Sequence, residues 1–135
     1  MMADHVGVVE FGLGDDRYCL GIDAVTEVVA ADVTPLPNTP PRVAGVTDLR
    51  GQTARVLDPR AVFDVGDPDP DAGDRVIVLD TVDEPRGWLV DDVRDVHRVD
   101  FADVDRSFEG EGRGIRGLVR VDENDFMIWV DADAV

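Results

Sequence analysis

Carboxylates are the most abundant charged groups in this chain, and one cluster of them has the spacing of a cation site. The segment "DPDPDAGD" places alternating acids in the way a calcium loop does: Asp67, Asp69, Asp71 and Asp74. An EF-hand loop counted from Asp67 requires Gly at position six and Glu at position twelve, where this chain has Ala72 and Val78. The pattern therefore favours a solvated acidic linker over a metal site.

The remaining candidates for catalysis are few. Asp91 and Asp92 are adjacent carboxylates, as in a hydrolase, but neighbours on a strand point to opposite faces and cannot easily share a proton. His5 and His97 are isolated, and the single cysteine, Cys19, lies in an apolar run that indicates a buried, inert thiol. We therefore predict no catalytic residue, no cofactor and no metal.

The charge of the chain restricts its partners. The 135 residues carry a formal net charge of -17, and all 13 basic residues are arginine. Such a field repels phosphate backbones and anionic membranes, so nucleic-acid binding and membrane insertion are not expected. A lysine-free, aspartate-rich surface is typical of a cytoplasm of very high salt, which predicts a halophilic archaeal source. The N-terminus has no basic, apolar signal segment, which predicts an intracellular protein.

The elements that must position any site are predicted to be strands. Valine is frequent and helical periodicity is scarce, so at least eight short strands are expected, beginning with a hairpin over residues 6–22. The segment "DAVTEVVAAD" fits either a short helix capped by Asp23 or a strand near Val28. Short helical turns are expected at residues 59–63 and at the C-terminus. The fold class is all-β, as one or two small barrels.

One connection presents a charged residue without an obvious structural need. In "VAGVTDLRGQTARVLDPR" two apolar strands flank Arg50 and Gly51, and Gly51 allows the positive φ of a tight reversal. Arg50 then projects from the turn. It either pairs with Asp48 or Asp58 as a structural arginine, or it serves as a recognition residue, since arginine is enriched in interface hot spots.

Several ordered motifs then resemble one family. "GVTDLRG" (residues 45–51) resembles the G-V-x-x-L-R-G motif of the CheW-like domain. "FGLGDDRYCLGIDAVTEV" is similar to the opening hairpin and V-x-E-V segment of that family, and "RVLDPRAVF" is similar to its L-D-x-R-x-x-F element. "GWLVDDVRDV" and "GLVRVDENDFMIWVDADAV" match its later strands in order, so the resemblance covers nearly the whole chain.

The resemblance implies a single domain, residues 1–135, made of two five-stranded SH3-like β-barrels that share a hydrophobic core. It implies a non-catalytic chemotaxis adaptor that joins the cytoplasmic tip of chemoreceptors to the regulatory domain of the histidine kinase CheA at membrane-associated arrays. The alternative is a diverged scaffold or a small-ligand sensing barrel outside chemotaxis. The receptor-binding residues that the resemblance implies are Arg50, Glu27, Val25, Val46, Leu49, Leu89 and Val90.

Overall fold

The computed structural model describes residues 5–63, 73–82, 84–109 and 114–134. The described chain is almost entirely β-structure. Its strands are β1 His5–Leu13, β2 Asp16–Gly21, β3 Val25–Ala30, β4 Val43–Leu49, β5 Gln52–Leu57, β6 Arg75–Leu79, β7 Arg86–Val90, β8 Asp92–Asp100, β9 Val104–Asp105, β10 Ile115–Asp122 and β11 Asp125–Val130. One helical turn, α1 Pro59–Phe63, follows β5. The predicted fold class is confirmed.

The strands form two sheets, with order β8-β1-β2-β11-β10-β9 in the first and β3-β6-β7-β5-β4 in the second. Two pairs are parallel, β2 with β11 and β5 with β7, and the other pairs are antiparallel. Two barrels of five strands were predicted. The first sheet has a sixth strand of only two residues, and neither sheet closes into a continuous hydrogen-bonded cylinder.

Three clusters of buried apolar side chains form the core of the protein. One, formed among others by Val8, Met127 and Trp129, belongs to the first sheet alone, and another, including Val56 and Leu89, belongs to the second. The third contains residues of both sheets: Phe11, Leu13, Tyr18, Leu20 and Val130 from the first, and Leu57, Ile77, Leu79, Trp88 and Val90 from the second. This third cluster is the shared core that the sequence predicted.

The segment "DAVTEVVAAD", which fits either a helix or a strand by sequence, is mainly a strand. The ambiguous segment is a short 3-10 turn, Ile22–Ala24, followed by β3, where half-buried and exposed residues alternate as in an edge strand. Helical turns occur at α1 and at Ala132–Ala134, as expected. Cys19 is fully buried, as predicted, and burial raises the pKa of its thiol to about 12, which disfavours the reactive thiolate. Most of the acidic linker, residues 64–72, lies outside the described residues.

Candidate functional site

The β4–β5 hairpin turns in two residues, Arg50 and Gly51, between the paired residues Leu49 and Gln52. Both turn residues have positive φ, 53° and 86°, which is the type I′ geometry whose twist matches the flanking strands. The Gly51 N–H donates to Asp48 Oδ1 at 3.0 Å, so the Asp48 carboxylate supports the turn. The hairpin therefore holds the backbone of Arg50 at its tip.

The Arg50 side chain contacts an acid that is distant in sequence. Its Nη2 lies 2.6 Å from Glu27 Oε2 on β3, and the two side chains are 79% and 26% exposed. Neither of the proposed structural partners takes this place. Asp48 serves the turn, and Asp58 is buried beside Arg60. The structure thus brings together Arg50 and Glu27, the two charged residues that the resemblance assigned to the receptor side.

The two edges of the second sheet meet through one isolated backbone bridge, although the sheet does not close completely. β3 and β4 are its two edges, yet Thr34, just beyond β3, makes a two-bond bridge with Val46, with N···O distances of 2.8 and 3.0 Å. The neighbouring Gly45 has φ 151°, and a Cβ there would lie 2.1 Å from the Thr34 carbonyl oxygen. Only glycine permits so close an approach, so the first glycine of the G-V-x-x-L-R-G motif lets the two edges meet.

The ion pair lies in a shallow cleft of about 410 Å³. Apolar side chains contribute to its walls, among them Leu49, Val78 and Pro85. Leu49, Val25 and Val46 are each half-buried, so part of each side chain is accessible. A partly exposed charge pair beside apolar surface is suited to hold a protein partner, because the apolar area supplies affinity and the charges supply orientation.

The prediction that the side chains of Leu89 and Val90 contact a receptor needs a correction. Both are 0% exposed, because β7 lies in the centre of its sheet and is covered on both faces. Leu89 packs in the cluster of the second sheet, and Val90 packs in the shared core. A central strand that is buried on both faces has a continuous apolar sequence. From the sequence alone, such a strand cannot be distinguished from one whose apolar side chains are exposed to a partner. Their side chains are core residues and do not face a partner.

Sequence reasoning missed a buried charged cluster around Glu10, which is 3% exposed. Arg17 binds its carboxylate in bidentate fashion, with nitrogen–oxygen distances of 2.8 and 3.0 Å. Arg94 Nη1 lies 3.0 Å and His97 Nε2 lies 2.7 Å from the same carboxylate. The Arg17 hydrogen bonds, followed by those of His97 and Arg94, outweigh burial and lower the pKa of Glu10 to about 2. The only signal was an acid inside the apolar run "VGVVEFGL".

The Asp91–Asp92 pair does not form a shared site. Asp91 contacts the buried Arg60 and accepts a 2.6 Å hydrogen bond from the Gly14 N–H. Asp92 instead accepts from Arg94 Nε at 3.0 Å. Each carboxylate is held by its own partner, but for a different reason from the one predicted, because Asp92 begins β8 whereas Asp91 lies in the bend between β7 and β8. Arg60 and Asp91 thereby tie α1 to the first hairpin, a structural role.

In the part of the chain that the structure describes, no group of three or more histidine, cysteine, aspartate or glutamate side chains is arranged to hold a metal ion. Within the same residues, no helix has the length and apolar character to cross a membrane. Three of the four acids with calcium-like spacing, Asp67, Asp69 and Asp71, lie outside the described residues.

Comparisons with known proteins agree with one another. The CheW-like domain matches residues 7–135 of the chain. Chemotaxis protein CheW of Rhizobium meliloti is 29% identical over 133 residues, which cover 95% of this chain and 85% of that protein. Chemotaxis protein CheW of Bacillus subtilis is 26% identical with the same two shares. The crystal structure of the scaffolding protein TtCheW from Thermoanaerobacter tengcongensis superposes with a TM-score of 0.77 at 25% identity, covering 93% of this chain and 88% of that chain.

Proposed function

This chain belongs to the CheW-like domain family, and from that premise we propose that it is a non-catalytic adaptor that couples chemoreceptors to the histidine kinase CheA. The relatives are chemotaxis and scaffolding proteins by name, and they match nearly the whole chain. One observation carries the proposal. A 79% exposed arginine stands at the tip of a type I′ hairpin and pairs with Glu27 beside apolar surface.

We propose that this surface binds the cytoplasmic tip of the receptor. Arg50 and Glu27 supply the charged contacts, and the accessible parts of Val25, Val46 and Leu49 supply the apolar ones. The exposed pair contributes little to folding, because surface ion pairs stabilise by about 0–1 kcal/mol. Its side chains are therefore free to exchange partners when a receptor helix arrives. Affinity at one site is expected to be modest and to be raised by repetition in an array.

Replacement of Arg50 tests the receptor surface. Arg50→Glu places two acids side by side at the hairpin tip, so we expect binding of a receptor cytoplasmic fragment to fall by at least about tenfold, the factor that follows from a change of ~1.4 kcal/mol. The measurement is titration of the purified chain with the fragment, together with the melting temperature. Arg42→Glu is the matched control, because Arg42 is exposed and does not line the cleft that contains Arg50 and Glu27.

Binding by the Arg50→Glu variant also distinguishes the receptor surface from the CheA surface. If the Arg50→Glu variant loses the receptor and retains CheA, Arg50 belongs to the receptor surface and not to a CheA surface. Unchanged receptor binding by this variant would remove Arg50 from the interface. Absence of binding to both receptor and CheA by the wild-type chain would overturn the adaptor function.

We also propose where the protein works. An adaptor of this kind acts in the cytoplasm and is recruited to membrane-associated receptor arrays through its partners, without inserting into the bilayer. The net charge of -17 and the absence of lysine support a halophilic archaeal source, in which apolar contacts carry most of the affinity because salt screens charge.

A further inference from the structure

Two arginines lie side by side on the outer part of the second sheet. Strands β5 and β7 are parallel, and their register sets Arg55 opposite Arg86. Two residues farther along, Leu57 is opposite Trp88, and both of these pack in the core shared by the sheets. Because alternate residues of a strand share a face, Arg55 and Arg86 extend the row that packs between the sheets to the point where it reaches solvent.

A cleft opens at that point. It has a volume of about 610 Å³, and its lining includes both arginines together with Asp133, which belongs to the turn after β11 of the first sheet. The cleft therefore lies between the two sheets. It adjoins the Arg50 cleft, because Asp80 and Thr81 line both. One helix lying across this face can contact both clefts.

The two arginines make few close contacts with carboxylates, although three acids, Asp80, Glu84 and Asp133, line the same cleft. Like charges directly opposite on neighbouring strands destabilise a sheet. Within the described residues, the only ion pair of Arg55 is with Glu84 at 3.8 Å, and both side chains are more than half exposed. Arg86 has no ion pair there, and the two aspartates of the cleft, Asp80 and Asp133, pair with neither arginine. By contrast, Arg17 and Arg94 each contact two carboxylates.

We propose that Arg55 and Arg86 together bind an acidic side chain, aspartate or glutamate, on the receptor helix that contacts Arg50. Two neighbouring guanidinium groups offer several planar N–H donors to one carboxylate, which is the geometry that arginine recognises best. The ligand carboxylate would also relieve the repulsion between the two strands. This inference rests on the proposed function and adds a second contact that selects among receptor helices by their charge.

The experiment titrates the full chain with a dimeric cytoplasmic fragment of a chemoreceptor from the same genome, in 0.15 M and in 2 M KCl. In the lower salt, the double variant Arg55→Gln/Arg86→Gln should bind about tenfold more weakly than wild type, since two exposed charge contacts are lost. Its melting temperature should stay close to that of wild type, because the loss of repulsion between the two arginines and the loss of two positive charges from an acidic chain act in opposite directions. The Arg55→Lys/Arg86→Lys variant should bind better than the glutamine variant, and Arg42→Gln should match wild type. In 2 M KCl the difference should shrink.

Each outcome of this experiment supports or overturns the inference about Arg55 and Arg86. Equal binding by the glutamine variant and wild type overturns the inference and leaves the adaptor function in place. Equal losses in the lysine and glutamine variants, together with a lower melting temperature, assign the arginines a structural role and also overturn it. If wild type does not bind the fragment, both the receptor function and this inference are overturned. Rescue of an Arg55→Glu/Arg86→Glu variant by exchange of a receptor acid for arginine identifies the acid that is bound.

Discussion

At the scale of single residues, this protein uses arginine in two opposite ways. Arg17 and Arg94 lie against the buried Glu10, where charge-assisted hydrogen bonds offset the loss of hydration. Arg50 is largely exposed and has one carboxylate partner. Composition alone cannot separate these roles, because it counts all three residues simply as arginines. Burial and the number of carboxylates around each guanidinium separate them.

The Glu10 cluster should make part of the stability depend on pH. The pKa of Glu10 falls from 4.5 to about 2 in the folded protein, so its contribution is fully present above pH 4.5 and is lost as the pH falls towards 2. A shift of this size corresponds to about 3 kcal/mol. Denaturant unfolding of wild type and Glu10→Gln between pH 2 and 7 should show a difference that narrows in this window. A difference that stays constant over that range would exclude the ionised cluster as its cause.

At the scale of elements, the sequence predicts strands and turns well and long-range contacts poorly. The Arg50–Gly51 reversal follows from local chemistry, since glycine in a two-residue loop indicates positive φ. The pairing of Arg50 with Glu27 joins residues 23 positions apart and depends on the meeting of two sheet edges. The burial of Leu89 and Val90 depends on which strand becomes central. No local pattern encodes either of these outcomes.

The meeting of the edges of the second sheet should depend on Gly45. A Cβ at this position would overlap the Thr34 backbone, and the φ of 151° disfavours other residues. We expect Gly45→Ala to destabilise the fold by about 2–3 kcal/mol, a typical effect of overpacking, and to weaken receptor binding by displacing Glu27 from Arg50. Urea midpoints and the receptor titration measure both effects.

Gly21→Ala is the matched control for that substitution. Gly21 has nothing within 4 Å of the added carbon and a φ of -57°, so alanine is tolerated there. Equal urea midpoints for the two alanine variants would show that the close approach of Thr34 and Gly45 is not needed for the fold.

At the scale of the whole molecule, charge and apolar packing act against each other. Three apolar clusters favour the compact state, while a net charge of -17 on 135 residues produces repulsion that opposes it. The paired arginines offset only part of this, because there are 30 acids and 13 basic residues. Added salt screens the remaining repulsion without disturbing the clusters, and at high concentration it strengthens apolar association.

This balance between charge repulsion and apolar packing predicts that salt stabilises the fold. We expect the melting temperature to rise steadily between 0.1 M and 3 M KCl, with most of the early gain below 1 M, where the screening length falls from about 10 Å to about 3 Å. Replacing exposed acids distant from both clefts, such as Asp95, Asp100 and Glu123, with their amides should raise the melting temperature at 0.1 M and have a smaller effect at 3 M. Calorimetry of both proteins across the salt series measures this. A wild-type melting temperature independent of salt would mean that repulsion does not limit stability, and the acidic surface would then need a different explanation from adaptation to high salt.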